Sequence, residues 1–233
     1  MLLGSYQLLE SDPSGFFRLA VLVAFALVTA ITFHEFSHAF VASALGDNTA
    51  RRLGRVSLNP MRHLDLGGTI MMFIAGFGWG KPVPVDSRQL TRGHTDTALV
   101  AAAGPLSNLV LAFLLAIPFK TGLLVPAGLS LDRVAHVMTG GLSEGIADIL
   151  ALVIFFNLLL GVFNLLPLAP LDGSRVVAGV VPKEHSAAFD KLQRNGPGLL
   201  VAIIMLDYAL GFGILWSVMG PVVRTLTSAA TGY

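Results

Sequence analysis

The chain has 233 residues, 54% of them hydrophobic and 12% charged, with a net charge of +1 and no cysteine, and its mean hydropathy is +0.75. Soluble domains carry about 25% charged residues, so this composition excludes an ordinary water-soluble enzyme. The near-neutral charge argues against a nucleic-acid partner, and the lack of cysteine removes disulfides, thiolate metal ligands and cysteine nucleophiles. What remains is an all-α membrane protein, expected as a single domain over residues 1–233 because no long polar stretch is left from which to build a second one.

In chain order, Met1 to Phe17 carries Glu10 and Asp12 and no basic residue, so it does not read as a cleavable signal peptide. The first apolar segment runs from about 16 to 45, roughly 30 residues, more than a hydrocarbon core of about 30 Å requires. The stretch from Gly67 to Gly80 has only about 14 residues and is rich in glycine, too short and too flexible to span. It is expected as a membrane-inserted, re-entrant segment of β-hairpin type over about 67–85. Three more stretches, about 97–119, 146–168 and 197–219, are each long enough to cross, the last with Pro197 in its first turn. The expectation is therefore about four transmembrane helices plus the re-entrant segment.

Charge orients this bundle. Arg51, Arg52, Arg55 and Arg62 follow the first helix, Lys81, Arg88 and Arg92 follow the re-entrant segment, and Arg175, Lys183, Lys191 and Arg194 precede the last helix. Basic residues near membrane ends mark the cytoplasmic side, which predicts an N-out, C-out multi-pass protein with the loop from Lys120 to Gly145 outside.

The chemistry sits in His34-Glu35-Phe36-Ser37-His38, inside the first apolar run. Residues four apart share a helix face, so both imidazoles can reach one tetrahedral Zn²⁺ while Glu35 can reach a water beside it. Two histidines and a glutamate are costly in lipid unless they are bound to something. Counted from Gly46, His34 lies roughly 18 Å inside, and Asn108 lies at a similar depth in the second span, so the polar layer falls in the cytoplasmic half. Catalytic zinc generally keeps three protein ligands. The carboxylates able to reach that depth are Asp172 and Asp207, and physical argument alone leaves both open. Asp207 could instead make an interhelical hydrogen bond, and Asp172 could be an ordinary loop residue before a glycine turn. His63, His94, His136 and His185 lie in polar connections and are expected to be exposed or capping. Asn157, Gly161 and Asn164 share one helix face, with Asn157 expected to bond helix to helix.

HEFSH in the first helix, Gly104-Pro105-Leu106-Ser107-Asn108 in the second, and the Asn164-to-Gly173 run NLLPLAPLDG together resemble the site-2 protease family of intramembrane zinc metalloproteases, peptidase family M50. Leu58-Asn59-Pro60 with His63 and Asp65, and the stretch from Phe77 to Val85, resemble its compact bacterial and archaeal subgroup, without PDZ or CBS modules. The resemblance implies Asp172 as the third ligand of one Zn²⁺, with Gly104, Asn108 and Asn164 lining the site. It also implies a transmembrane protein substrate in a bacterial or archaeal plasma membrane. Glu35 would then serve as general base and acid, with an amide of Asn164 or Asn108 at the developing oxyanion. The re-entrant segment would either receive an extended substrate by β-strand addition, with Met71, Met72 and Phe73 in contact, or only plug the bundle. The competing readings are another membrane HExxH peptidase and a zinc or proton transporter; an adaptor and the oligomeric state are not indicated by any residue.

Overall fold

The computed structural model describes residues 6–75, 78–125, 141–181, 186–211 and 213–233. Its main helices are α1 (Pro13–Ala44), α2 (Leu66–Ala75), α3 (His94–Leu115), α4 (Leu142–Asn164), α5 (Asp172–Ala178), α6 (Ser186–Leu210) and α7 (Ile214–Thr231). Side-chain carboxylates stand at the starts of α1 and α3. Before α1, the Asp12 carboxylate accepts from the Gly15 amide at 2.9 Å, with Pro13 in the first turn. At the start of α3, Asp96 accepts from both the backbone and the side chain of Arg92, placing a carboxylate at the positive end of the helix.

α1, α3 and α4 pack against one another and form the centre of the molecule. Leu19 and Ala26 of α1 meet Leu152, Val153 and Phe156 of α4. Ala112 and the short helix Ile117–Lys120 that extends α3 pack on Ile154, Leu158 and Val162 of α4, and Met219 and Val223 of α7 close that side. Where lipid is the solvent, helices gain little from hiding apolar surface and associate through close backbone approach. Accordingly Ala26, Ala30, Ala39 and Ala42 along α1 are fully buried, while Phe17, Val21, Phe25 and Phe40 of the same helix point outward. Among the described residues three helical stretches are long and apolar enough to cross a membrane, Pro13–Ala44, His94–Lys120 and Leu142–Asn164.

Two expectations change. The expected hairpin over 67–85 is helical over Leu66–Ala75, and its one strand-like feature among the described residues is an isolated antiparallel bridge between Leu64 and Gly80. Asp65 is the physical reason: its carboxylate accepts from the Gly68 amide at 2.8 Å and its carbonyl from the Thr69 amide at 2.8 Å, which starts a helix. The glycines serve close approach. A Cβ on Gly68 would lie 2.0 Å from the Trp79 carbonyl oxygen, so the returning chain lies directly on the first turn of α2. Gly68→Ala is therefore expected to lift the returning segment, read as increased proteolysis around residues 78–82 under conditions where the wild type resists. The side chains of Met72 and Phe73 lie outside the described residues.

The second change is in the expected fourth span, which divides between α6 and α7. Gly211 and Gly213 adopt φ of +65° and +63°, a left-handed backbone that ends the helix cheaply only at glycine. Pro197 stands inside α6 rather than in its first turn.

Candidate metal centre

The site begins with the register of α1. His34 and His38 project from one face, buried against α3, with ring centroids 4.7 Å apart. A different element delivers the carboxylate. α4 ends at Asn164, because Pro167 and Pro170 cannot continue it, and the chain turns so that Asp172 opens α5. Gly173 makes this turn possible: a Cβ there would stand 2.3 Å from the Leu165 carbonyl oxygen, so Asp172 is folded back over the end of α4. Its Oδ2 reaches His34 Nε2 at 3.0 Å and His38 Nε2 at 3.1 Å, and the two Nε2 atoms are 3.1 Å apart. Among the described residues these three side chains form the group of His and Asp able to hold a metal ion.

The other ring nitrogens decide what that convergence means. His34 Nδ1 donates to Asn108 Oδ1 and His38 Nδ1 donates to the Val100 carbonyl, each at 2.7 Å. Protonation at Nδ1 leaves both Nε2 atoms as bare acceptors, turned toward each other and toward a carboxylate oxygen. Three acceptors at such spacing, two of them on buried rings, repel unless a cation lies between them. Tetrahedral ligation at about 2.0–2.1 Å would space its donors by about 3.3 Å, so the residues present fit Zn²⁺ closely.

Gly104 borders the same space. A Cβ on it would lie 2.4 Å from His38 Nε2 and 2.8 Å from His34 Cε1, so only glycine lets α3 approach the two rings. Asn108, one turn further on, is fully buried, and its Nδ2 donates to the Ala30 carbonyl at 2.9 Å and to Asn157 Oδ1 at 2.8 Å. Both of its N–H groups are therefore engaged, which differs from the expected part as an oxyanion donor and places Asn108 behind His34 instead. Asn164 donates to the Leu160 carbonyl of its own helix at 3.0 Å and stands beside the turn that carries Asp172.

Glu35 faces the return segment. A Cβ on Gly80 would meet Glu35 Oε1 at 3.2 Å and the His63 carbonyl oxygen at 3.3 Å, and the Lys81 amide donates to that carbonyl at 2.6 Å. Arg55 locks the same stretch from behind, donating to the carbonyls of Lys81 and Pro82. His63, expected to be exposed or capping, is instead fully buried, with Nε2 donating to the Ser57 carbonyl at 2.6 Å. Burial pushes its imidazole below the ordinary pKa and neighbouring Arg55 adds to the effect. The loop needs a packed ring with one backbone partner, a demand no residue spacing announces. His94 is exposed as expected, whereas His136 and His185 lie outside the described residues.

Asp207 takes no part in the cluster. Its Oδ1 accepts from the Ile214 amide at 2.6 Å and its Oδ2 from the Leu215 amide at 3.4 Å, so it caps the first turn of α7 across the Gly211–Gly213 break. Sequence reasoning had no access to the Val100 carbonyl as a partner of His38, since a backbone oxygen carries no residue signature. The bond from Asn108 to Asn157 at 2.8 Å is the helix-to-helix contact expected of Asn157, with a partner that no residue spacing names.

A family model described as Peptidase family M50 matches residues 22–206. The chain is similar to YwhC of Bacillus subtilis (strain 168), 38% identical over 197 residues that cover 83% of each chain. It is also similar to Rip2 of Mycobacterium tuberculosis, 33% identical over 169 residues, which span 70% of this chain and 58% of Rip2. The counterpart from Mycolicibacterium smegmatis is 28% identical over 210 residues, 85% of this chain and 71% of the relative. All three are provisionally named zinc metalloproteases. No solved structure matches the chain. Because the family match embraces the central helices and each member of the His34, His38 and Asp172 cluster, the chain belongs to peptidase family M50, as an intramembrane zinc metalloprotease of site-2 protease type.

Proposed function

We propose that His34, His38 and Asp172 hold one Zn²⁺, that Glu35 moves the protons, and that the protein hydrolyses peptide bonds in or near transmembrane segments of other membrane proteins. The observation that carries this reading is the convergence of two imidazole nitrogens and a carboxylate oxygen, each within 3.1 Å of the other two, with both imidazoles hydrogen-bonded through Nδ1 on the far side. Zn²⁺ in such a site supplies Lewis acidity and a water with a pKa near about 7. Glu35, next along α1, takes the proton of the attacking water and returns it to the leaving amine. The remaining N–H of Asn164, at the end of α4, is the amide available to a developing oxyanion. Gly80, against the Glu35 carboxylate, brings the return segment to the reacting region, so an unwound substrate would lie along that segment with its polar groups shielded from lipid.

The active site is placed toward the cytoplasmic side of a bacterial or archaeal plasma membrane, with both termini outside. Basic residues near Gly46 and Lys81 support this orientation. So do two contacts of the C-terminal helices: Gly196 of α6 lies against Ala169 in the turn before Asp172, and Ala229 near the end of α7 accepts from Lys120 at the end of the short helix that extends α3. Between them the chain passes from one side of the bundle to the other.

Glu35→Gln tests the assignment. It is expected to lower cleavage of a transmembrane reporter by about 10²–10⁴-fold, the usual contribution of a positioned acid–base group, while bound zinc stays at one per chain by elemental analysis. Undiminished proteolysis would remove Glu35 from the mechanism.

A further inference from the structure

Behind His34 runs a chain of side-chain amides that ends in a group able only to accept. Asn157, fully buried in α4, donates through Nδ2 to the Val153 carbonyl at 2.8 Å. A carbonyl has no proton to give, so the Asn157 amide must present Nδ2 to it and Oδ1 to α3. That oxygen accepts from Asn108 Nδ2 at 2.8 Å, and the second hydrogen on Asn108 Nδ2 goes to another carbonyl, that of Ala30, at 2.9 Å. Asn108 is thereby turned with Oδ1 toward His34, where it accepts from Nδ1 at 2.7 Å. Every link in the series has one allowed direction, and the direction is imposed by backbone carbonyls on α1 and α4.

We propose that Asn157 is a positioning residue for the metal centre: through Asn108 it holds His34 in the tautomer protonated at Nδ1, with the Nε2 lone pair aimed at Zn²⁺. Without it, Asn108 Nδ2 loses one of its two acceptors, and the reversed amide, which would set N–H against His34 Nδ1 and favour the opposite tautomer, becomes accessible. Outer partners that orient a metal-bound imidazole raise metal affinity about 10–100-fold. Asn157 differs from those partners in acting at one remove, from a helix that carries none of the three ligands. The inference rests on the reading that His34, His38 and Asp172 bind Zn²⁺, and the test separates the two.

The experiment measures zinc affinity of the purified full chain in detergent by chelator competition, together with the visible absorption of the Co²⁺-substituted protein, for wild type, Asn157→Leu and Asn157→Asp. Asn157→Leu is expected to weaken zinc binding about 10–100-fold and to shift the Co²⁺ bands at unchanged helix content. Asn157→Asp, neutral when buried away from water, can give its O–H to the Val153 carbonyl and keep an oxygen for Asn108. It is expected to restore both readouts, which a purely steric role would not predict. Wild-type affinity and spectrum in a folded Asn157→Leu protein would overturn the proposal and leave the zinc site standing. A wild type that binds no zinc would overturn both. A second measurement needs no variant at this position. In the wild-type holoenzyme the side-chain amide protons of Asn157 and Asn108 and the Nδ1 proton of His34 are expected to exchange slowly with solvent by NMR. A freely exchanging Asn157 amide would overturn the proposal even if Asn157→Leu fails to fold.

Discussion

Asp172→Asn is expected to remove both zinc and cleavage of a transmembrane reporter, while Asp207→Asn leaves both close to wild type. The two residues are the carboxylates that the sequence places within reach of the histidines, and the structure separates them. Asp172 Oδ2 lies 3.0 and 3.1 Å from the two Nε2 atoms, whereas Asp207 spends its oxygens on the amides of Ile214 and Leu215. Loss of a direct ligand should exceed the 10–100-fold typical of an outer partner, so zinc is expected to fall below one per chain on elemental analysis after dialysis against a mild chelator. Asparagine caps a helix about as well as aspartate does, so Asp207→Asn changes little. Asp207→Ala is the informative control, since losing a cap costs about 1 kcal/mol; it is expected to lower thermal stability while zinc content holds. Loss of zinc in Asp207→Asn alone would overturn the ligand assignment.

Gly104→Val is the substitution expected to be most damaging among those that remove no polar group. Its Cβ alone would stand 2.4 Å from His38 Nε2 and 2.6 Å from His38 Cε1, and the γ-methyls would occupy the space between the rings. Neither neighbour can yield easily, since His38 is tied to the Val100 carbonyl and His34 to Asn108. Either α3 moves away from α1, breaking those bonds, or the rings turn away from Asp172. Zinc is expected to be lost with activity, and excess zinc should fail to restore it. Gly161→Ala provides the comparison. There a Cβ would meet the Pro105 carbonyl oxygen at 3.1 Å, a tight contact that a small helix shift relieves, so partial activity and full zinc occupancy are expected.

These expectations also show where the sequence was readable. The HEFSH register declared itself because an i, i+4 pair on a helix is a local matter, set by 3.6 residues per turn, and because charged and imidazole groups inside an apolar run have a cost that demands a partner. The three spans were legible for the same kind of reason, since length and composition alone decide whether a helix can cross a bilayer. The segment Leu66–Ala75 is helical rather than a β-hairpin. Its glycines read as flexible turn residues, when Gly68 is there to admit the Trp79 backbone and Asp65 starts a helix in front of it. Apolar composition carries on across Gly211 and Gly213 and predicts one continuous fourth span, whereas their left-handed backbone breaks it.

Residue types and spacing thus settle that the protein lives in a membrane, that α1 presents two imidazoles and a carboxylate, and, through the HEFSH, GPLSN and NLLPLAPLDG motifs, which family it resembles. The placement of Asp172 rather than Asp207 beside the histidines, the engagement of both Asn108 N–H groups, the burial of His63, and the linkage of Asn157 to His34 belong to the folded molecule. Each depends on which groups meet across α1, α3, α4 and the turn into α5. Such meetings are governed by helix packing at glycine and alanine contacts and by the one-way geometry of hydrogen bonds, and neither is written in any single stretch of chain.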